Sequence, residues 1–80
     1  MNKVDETKLD FVRWLEDAIA GEANARIDYY DLLRLFPENF SKEELSQIEE
    51  IIAEELKHTE ILSQIVKRVT GIVPEKYLKI

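Results

Sequence analysis

The sequence predicts an all-α fold, an antiparallel hairpin of two long helices that pairs with a second copy to form a four-helix bundle. Two segments of the 80-residue chain place apolar residues at alternating steps of three and four, which is the period of one helix face. Only a short loop separates the segments, so they are expected to be antiparallel neighbours. No segment has the alternating pattern of a β-strand.

The first helix is predicted over about residues 7–36, with Thr7 as its N-terminal cap. Pro37 ends it, because a proline pushes the preceding residue out of helical geometry. Glu22 is the one acidic residue on the apolar face of this helix, and it lies at the middle of the face. That face consists of Phe11, Leu15, Ala18, Glu22, Ala25, Tyr29, Leu32 and Phe36.

The second helix is predicted over about residues 42–70. Ser41 and Glu44 form a capping-box pattern at its start, and Gly71 ends it. Glu55 and His58 lie one turn apart at the middle of its apolar face. On both helices the polar residues interrupt the apolar face near its midpoint. An antiparallel hairpin therefore brings Glu22 to the same level along its axis as Glu55 and His58. The second face consists of Leu45, Ile48, Ile51, Glu55, His58, Leu62, Ile65 and Val69.

Length and composition indicate one small domain over residues 1–80 that needs a partner. Two helices of this length leave a continuous apolar strip facing water, and soluble monomers avoid such strips, so self-association is expected. The net charge of −6 argues against binding to nucleic acid or to an anionic membrane, and it favours cations. The absence of cysteine excludes disulfides and thiolate metal sites. No apolar run is long enough to span a membrane, and the N-terminus lacks a signal-peptide pattern, so a cytoplasmic location is expected.

The three central side chains are suited to iron. Iron(II) accepts carboxylate oxygen and imidazole nitrogen together. One chain supplies two carboxylates and one imidazole, too few for two metal ions. Two chains supply four carboxylates and two imidazoles, and the four negative charges balance two divalent ions, one per chain. Ferritin-like di-iron bundles have this set of ligands.

Two motifs carry a family resemblance. Glu22 and Tyr29 form a Glu-x6-Tyr motif, and Glu55 and His58 form a Glu-x-x-His motif. Together they resemble the half-motif of ferritin-like proteins such as rubrerythrins and bacterioferritins, which carry it twice. A single copy in about half the length is similar to the encapsulated ferritins, over about residues 9–70.

The resemblance implies a specific function. Glu22, Glu55 and His58 would be iron ligands, and Tyr29 would be the aromatic residue beside the centre. The homodimer would share one di-iron ferroxidase centre across its interface, and dimers would assemble further into a ring. The expected reaction is oxidation of Fe(II) to Fe(III) by dioxygen, for iron storage or detoxification. The location would be cytoplasmic, with an encapsulin nanocompartment as a possible shell partner.

Departures from the family pattern leave alternatives open. Without cysteines, the rubredoxin-type part of full rubrerythrins is absent. The apolar-rich tail, residues 71–80, either is a shell-targeting peptide or packs on a neighbouring subunit, and packing is favoured. The same ligands would also serve a peroxide-reducing or manganese-binding protein. A non-enzymatic helical bundle is a further alternative, in which a buried Glu and His set the register and bind metal only passively.

Four other side chains receive predicted roles. Trp14 and Tyr30 flank the apolar face of the first helix and are expected to contact neighbouring subunits. Arg26 lies near the edge of that face and is expected either to pair with a carboxylate at the interface or to extend its charged end into solvent, and the second is favoured. The second ring nitrogen of His58 needs an acceptor, for which Glu54 is one candidate.

Overall fold

The computed structural model describes the backbone of residues 3–80 and the side chains of residues 8–80. Helix α1 spans Lys3–Leu35, a 3₁₀ turn spans Pro37–Asn39, α2 spans Lys42–Thr70, and a short helix α3 spans Glu75–Leu78. The two long helices contact each other along the hairpin, and α3 contacts both of them. The prediction of an all-α chain with a long helix pair is confirmed. Pairing with a second copy remains a prediction.

The start of α1 differs from the prediction. The helix begins at Lys3, so Thr7 lies inside it and the prediction of Thr7 as the cap was wrong. No glycine or proline interrupts residues 3–7, so helical geometry continues through them. At the other end the helix stops at Leu35, and Phe36 leaves helical geometry with φ −130° and ψ 44° before Pro37.

The ends of α2 follow the predicted local chemistry. The hydroxyl of Ser41 accepts a hydrogen bond from the Glu44 amide at 3.1 Å, and the Glu44 carboxylate accepts one from the Ser41 amide at 2.8 Å. These two bonds form the capping box. Gly71 ends the helix with φ 79°, a left-handed conformation that glycine adopts without strain.

The hairpin has little interior. Its extents are 56 × 16 × 16 Å, about the thickness of one layer of helices. Among the side chains of residues 8–80 six are buried, and three of these are polar or charged. They are Ile19, Ala23, Arg26, Thr59, Ser63 and Val66. A core this small buries little apolar area within one chain.

The apolar faces predicted from the sequence, which we call the apolar stripes, lie at the edge of the surface on which α1 and α2 contact each other, and they meet at Glu22 and His58. The contact between the helices buries residues such as Ile19 and Thr59, which lie beside the stripes. Much of each stripe stays accessible: Phe11 is 43% exposed, Phe36 51% and Ile51 37%. We call this accessible surface the open face. Its exposed members are Phe11, Ala18, Leu32 and Phe36 on α1, and Ile51 and His58 on α2.

The C-terminal segment packs on the side where the six buried residues lie. Half-buried residues of this segment are Val73, Pro74, Tyr77 and Leu78. The carbonyl oxygen of Tyr77 accepts a hydrogen bond from the buried Arg26 side chain. The tail therefore packs on its own hairpin, and its packing on a neighbouring subunit remains a prediction.

In the part of the chain that the structure describes, no helix has both the length and the apolarity required to cross a membrane.

Candidate metal centre

The hairpin brings Glu22, Glu55 and His58 together. One ligand atom from each side chain lies within 4.8 Å of the others. The His58 Nδ1 atom lies 3.6 Å from the Glu22 Oε2 atom. Glu55 and His58 point the same way because residues three apart on an α-helix share a face. The antiparallel hairpin supplies Glu22 from the other side, as the midpoint positions of these residues predict.

The cluster opens onto solvent at the middle of the open face. The Glu22 side chain is 26% exposed and that of His58 52% exposed, while Glu55 is half-buried. Within one chain these groups are therefore only partly desolvated. A cation bound here would have protein ligands on one side and free space on the other.

The donor set and the spacing suit a divalent transition metal. Carboxylate oxygen and imidazole nitrogen bind such ions at about 2.0–2.2 Å, so two ligand atoms of one ion lie at most about 4.4 Å apart. The observed limit of 4.8 Å exceeds this by a few tenths of an ångström. Metal binding at this cluster would therefore require a small adjustment of the side chains. Three protein ligands from one chain leave further coordination positions for a second chain or for dioxygen.

The aromatic residues differ in exposure. Tyr29 is half-buried one heptad after Glu22, which is about 10 Å along the helix axis. Among residues 8–80 no hydrogen bond is formed by its hydroxyl. Trp14 is 77% exposed and Tyr30 42% exposed, so both are accessible to another subunit.

His58 has no hydrogen-bond partner among the described residues. Glu54, the candidate acceptor, lies one turn earlier on α2 and is exposed without contacting the ring. The orientation of the imidazole is therefore not set by a bond to the described part of its own chain. A metal ion, or a group of a second chain, would fix it.

Sequence reasoning missed the polar groups beneath the site. Arg26 is 0% exposed, so the prediction that it extends into solvent was wrong. The tail lies against this position, and the guanidinium donates hydrogen bonds to two acceptors on α2 and one in the tail. Thr59 and Ser63 are also fully buried. Their spacing of four residues next to the stripe on α2 is the signal that indicates a second, tail-facing surface.

Comparison with models of known families, with characterised proteins and with solved structures gives no match to this chain.

Proposed function

We propose that two copies of this chain pair through their open faces and oxidise Fe(II) to Fe(III) with dioxygen at a shared di-iron centre. The observation that carries the proposal is the convergence of Glu22, Glu55 and His58, with ligand atoms within 4.8 Å, at the middle of an exposed apolar face. Iron is the substrate of this reaction. The motif resemblance to encapsulated ferritins points to the same chemistry.

The open face supports pairing with a second copy. Phe11 and Phe36 lie near its two ends, and Ile51 lies between them on the other helix. These side chains are 37–51% exposed, as expected of groups that a partner would cover. The cluster lies between the apolar ends. Pairing about a twofold axis through the cluster would bury the apolar groups of both chains and bring the two clusters together.

The negative charge of two paired clusters would require cations. Each chain has a net charge of −6, and the paired clusters bring four carboxylates together. Like charges in a desolvated interface repel strongly. Two divalent ions would neutralise those four charges. The two imidazoles would supply neutral nitrogen ligands, which favour a transition metal over magnesium or calcium.

The redox balance of the reaction is simple. Each Fe(II) ion loses one electron, and two ions supply the two electrons that convert dioxygen and two protons to hydrogen peroxide. Four ions per dioxygen would give water instead. The 56 × 16 × 16 Å hairpin encloses no storage space, so a mineral would need a separate shell. A ring of dimers held in an encapsulin-type compartment is the assembly that the family resemblance suggests.

The exposure of the site supports one alternative function, that of a non-enzymatic protein. Since His58 is 52% exposed, the cluster is also compatible with a passive metal site in a non-enzymatic helical bundle. In that case the protein would bind metal without turning over dioxygen. The two functions share their ligands, so only activity separates them. A peroxide-reducing centre is distinguished from a ferroxidase centre by supplying hydrogen peroxide in place of dioxygen.

The test is aerobic Fe(II) oxidation at increasing iron per chain, followed by the absorbance of Fe(III) and by oxygen consumption. We expect a fast phase that saturates near one iron per chain and is absent from Glu55→Ala. Glu54→Ala is the matched control, because it removes a neighbouring exposed carboxylate that does not belong to the cluster. If wild type and Glu55→Ala both react no faster than buffer, the ferroxidase proposal fails.

A further inference from the structure

Arg26 connects three parts of the chain. It lies one turn after Glu22 on α1 and is fully buried. Its Nη1 atom donates to the carbonyl oxygen of Glu55 at 3.0 Å and to the hydroxyl oxygen of Thr59 at 2.6 Å. Its Nη2 atom donates to the carbonyl oxygen of Tyr77 at 2.6 Å. The guanidinium thus joins α1 both to α2 and to the C-terminal segment.

The bonds on α2 converge on the turn that carries the metal ligands. The Thr59 hydroxyl accepts from Arg26 and donates to the carbonyl of Glu55 at 3.1 Å. Glu55 and His58 are the first and fourth residues of this turn. On α1, Arg26 and Glu22 are four residues apart and so share a side of the helix. The network therefore sets the position of Glu22 along the hairpin axis relative to Glu55 and His58.

The energetics of Arg26 argue for a role beyond packing. Among residues 8–80 no carboxylate lies within ion-pair distance of the guanidinium, and its Nε atom has no hydrogen-bond partner. A buried cation without an anionic partner is unfavourable, and an apolar side chain of similar size would often be at least as stable. Buried charged or polar groups of this kind are best known for specifying register.

We propose that Arg26, acting through Thr59, is the positioning residue that holds the Glu55 and His58 turn in register with Glu22 for metal binding. The proposal rests on the proposed function in that the three side chains must bind metal. Arg26 does not touch the metal. Its effect is transmitted through the Thr59 hydroxyl and the Glu55 carbonyl, and the Tyr77 carbonyl holds the other end of the guanidinium.

Thr59 offers a matched pair of substitutions in the full-length chain. Thr59→Val keeps the shape of the side chain but removes both hydrogen bonds of the hydroxyl. Thr59→Ser keeps the hydroxyl and removes only a methyl group. Val66→Ala is a control for lost stability alone, because Val66 is buried away from the three ligands. Co²⁺ is the probe, since its visible absorption reports nitrogen and oxygen ligation without oxidation.

The readouts are the Co²⁺ dissociation constant and the hydrogen exchange of the backbone amides of residues 55–63 without metal. Loss of a hydrogen-bond partner of a ligating group typically weakens metal binding by about 10–100-fold, and the lower end of this range applies to Thr59, whose hydroxyl bonds to the backbone of Glu55. We expect at least about a 10-fold loss in Thr59→Val and wild-type affinity in Thr59→Ser and Val66→Ala. Exchange should accelerate selectively in residues 55–63 in Thr59→Val, and evenly along both helices in Val66→Ala.

Each outcome decides a different proposal. Equal Co²⁺ affinity in Thr59→Val, Thr59→Ser and wild type would overturn the positioning role of the network. Absence of Co²⁺ binding to wild type would overturn the metal centre itself. The exchange measurement then still decides whether the hydroxyl holds the turn, and uniform exchange in Thr59→Val would reject that role as well. Arg26→Lys, which keeps the charge but loses the forked geometry, should reproduce the effect of Thr59→Val if it folds.

Discussion

Glu22 and His58 face each other across the hairpin, with 3.6 Å between the carboxylate Oε2 atom and the imidazole Nδ1 atom. This separation is longer than a hydrogen bond, so the two groups lie close without being joined directly. Glu55 completes the cluster within 4.8 Å. Three potential ligands with room between them, on an accessible face, give the predictions that follow.

The open face should be sensitive to an added charge. Ala18 lies one turn before Glu22 on this face and is exposed. Ala18→Glu should weaken dimerisation at least about 100-fold, or about 3 kcal/mol, because like charges in an interface repel. Sedimentation equilibrium measures this change. Asn24→Glu adds the same charge on the exposed, opposite side of α1 and should leave the dimer intact. Equal effects of the two variants would show that the open face is not the interface.

Metal ions should drive dimerisation. Since pairing of two clusters would bring four carboxylates together, removal of metal should favour the monomer and addition of Co²⁺ should favour the dimer. Mg²⁺ at the same ionic strength is the control, because it has little affinity for imidazole. The sedimentation coefficient reports the change directly. Glu55→Ala should lose most of this metal dependence, and a wild-type dimer indifferent to Co²⁺ would contradict the shared centre.

Tyr29 should contribute to dimerisation through its aromatic ring. It is half-buried about 10 Å along the helix from Glu22, and its hydroxyl forms no hydrogen bond with residues 8–80. Tyr29→Phe should therefore keep Co²⁺ affinity and dimerisation, whereas Tyr29→Ala should weaken the dimer by removing apolar area. Titration and sedimentation of both variants test this. A large loss of iron oxidation in Tyr29→Phe would instead assign the hydroxyl a role in the reaction.

The docked tail should stabilise the hairpin. Leu78 is half-buried on α3, so Leu78→Asp should lower the free energy of unfolding by about 1–2 kcal/mol. Ile72→Asp makes the same chemical change in the same segment at a position that is 70% exposed. Urea unfolding of both variants without metal, at one protein concentration, compares them. Equal stability would mean that the tail does not dock on the hairpin in solution.

The capping box of α2 should have a measurable effect. Ser41→Ala removes the hydroxyl that accepts from the Glu44 amide, and such caps contribute about 1 kcal/mol to stability. Ser46→Ala changes an exposed serine inside the same helix, where alanine is the better helix former. The first variant should be less stable and the second equally or more stable. Thermal and urea unfolding of the two proteins measures the difference.

The sequence was sufficient for the parts of the fold that depend on local interactions. Ser41 with Glu44, Gly71 and Pro37 each act through neighbouring backbone atoms, so the boundaries they set were predictable. The start of α1 was not predictable from Thr7, because a residue of a capping type acts as a cap only where the helix begins. The meeting of Glu22 with Glu55 and His58 was also predictable, because a short loop fixes the register of an antiparallel hairpin.

The sequence by itself determined that the chain is helical, that its two long helices form a hairpin, and which three side chains gather at the middle. The tertiary structure alone decided which side of the hairpin is covered. The tail packs against the side that holds Arg26, and the exposed members of the predicted apolar stripes lie on another side. Helical periodicity identifies an apolar face but not its partner. That choice depends on long-range contacts, such as the bond between Arg26 and the Tyr77 carbonyl, which no local pattern encodes.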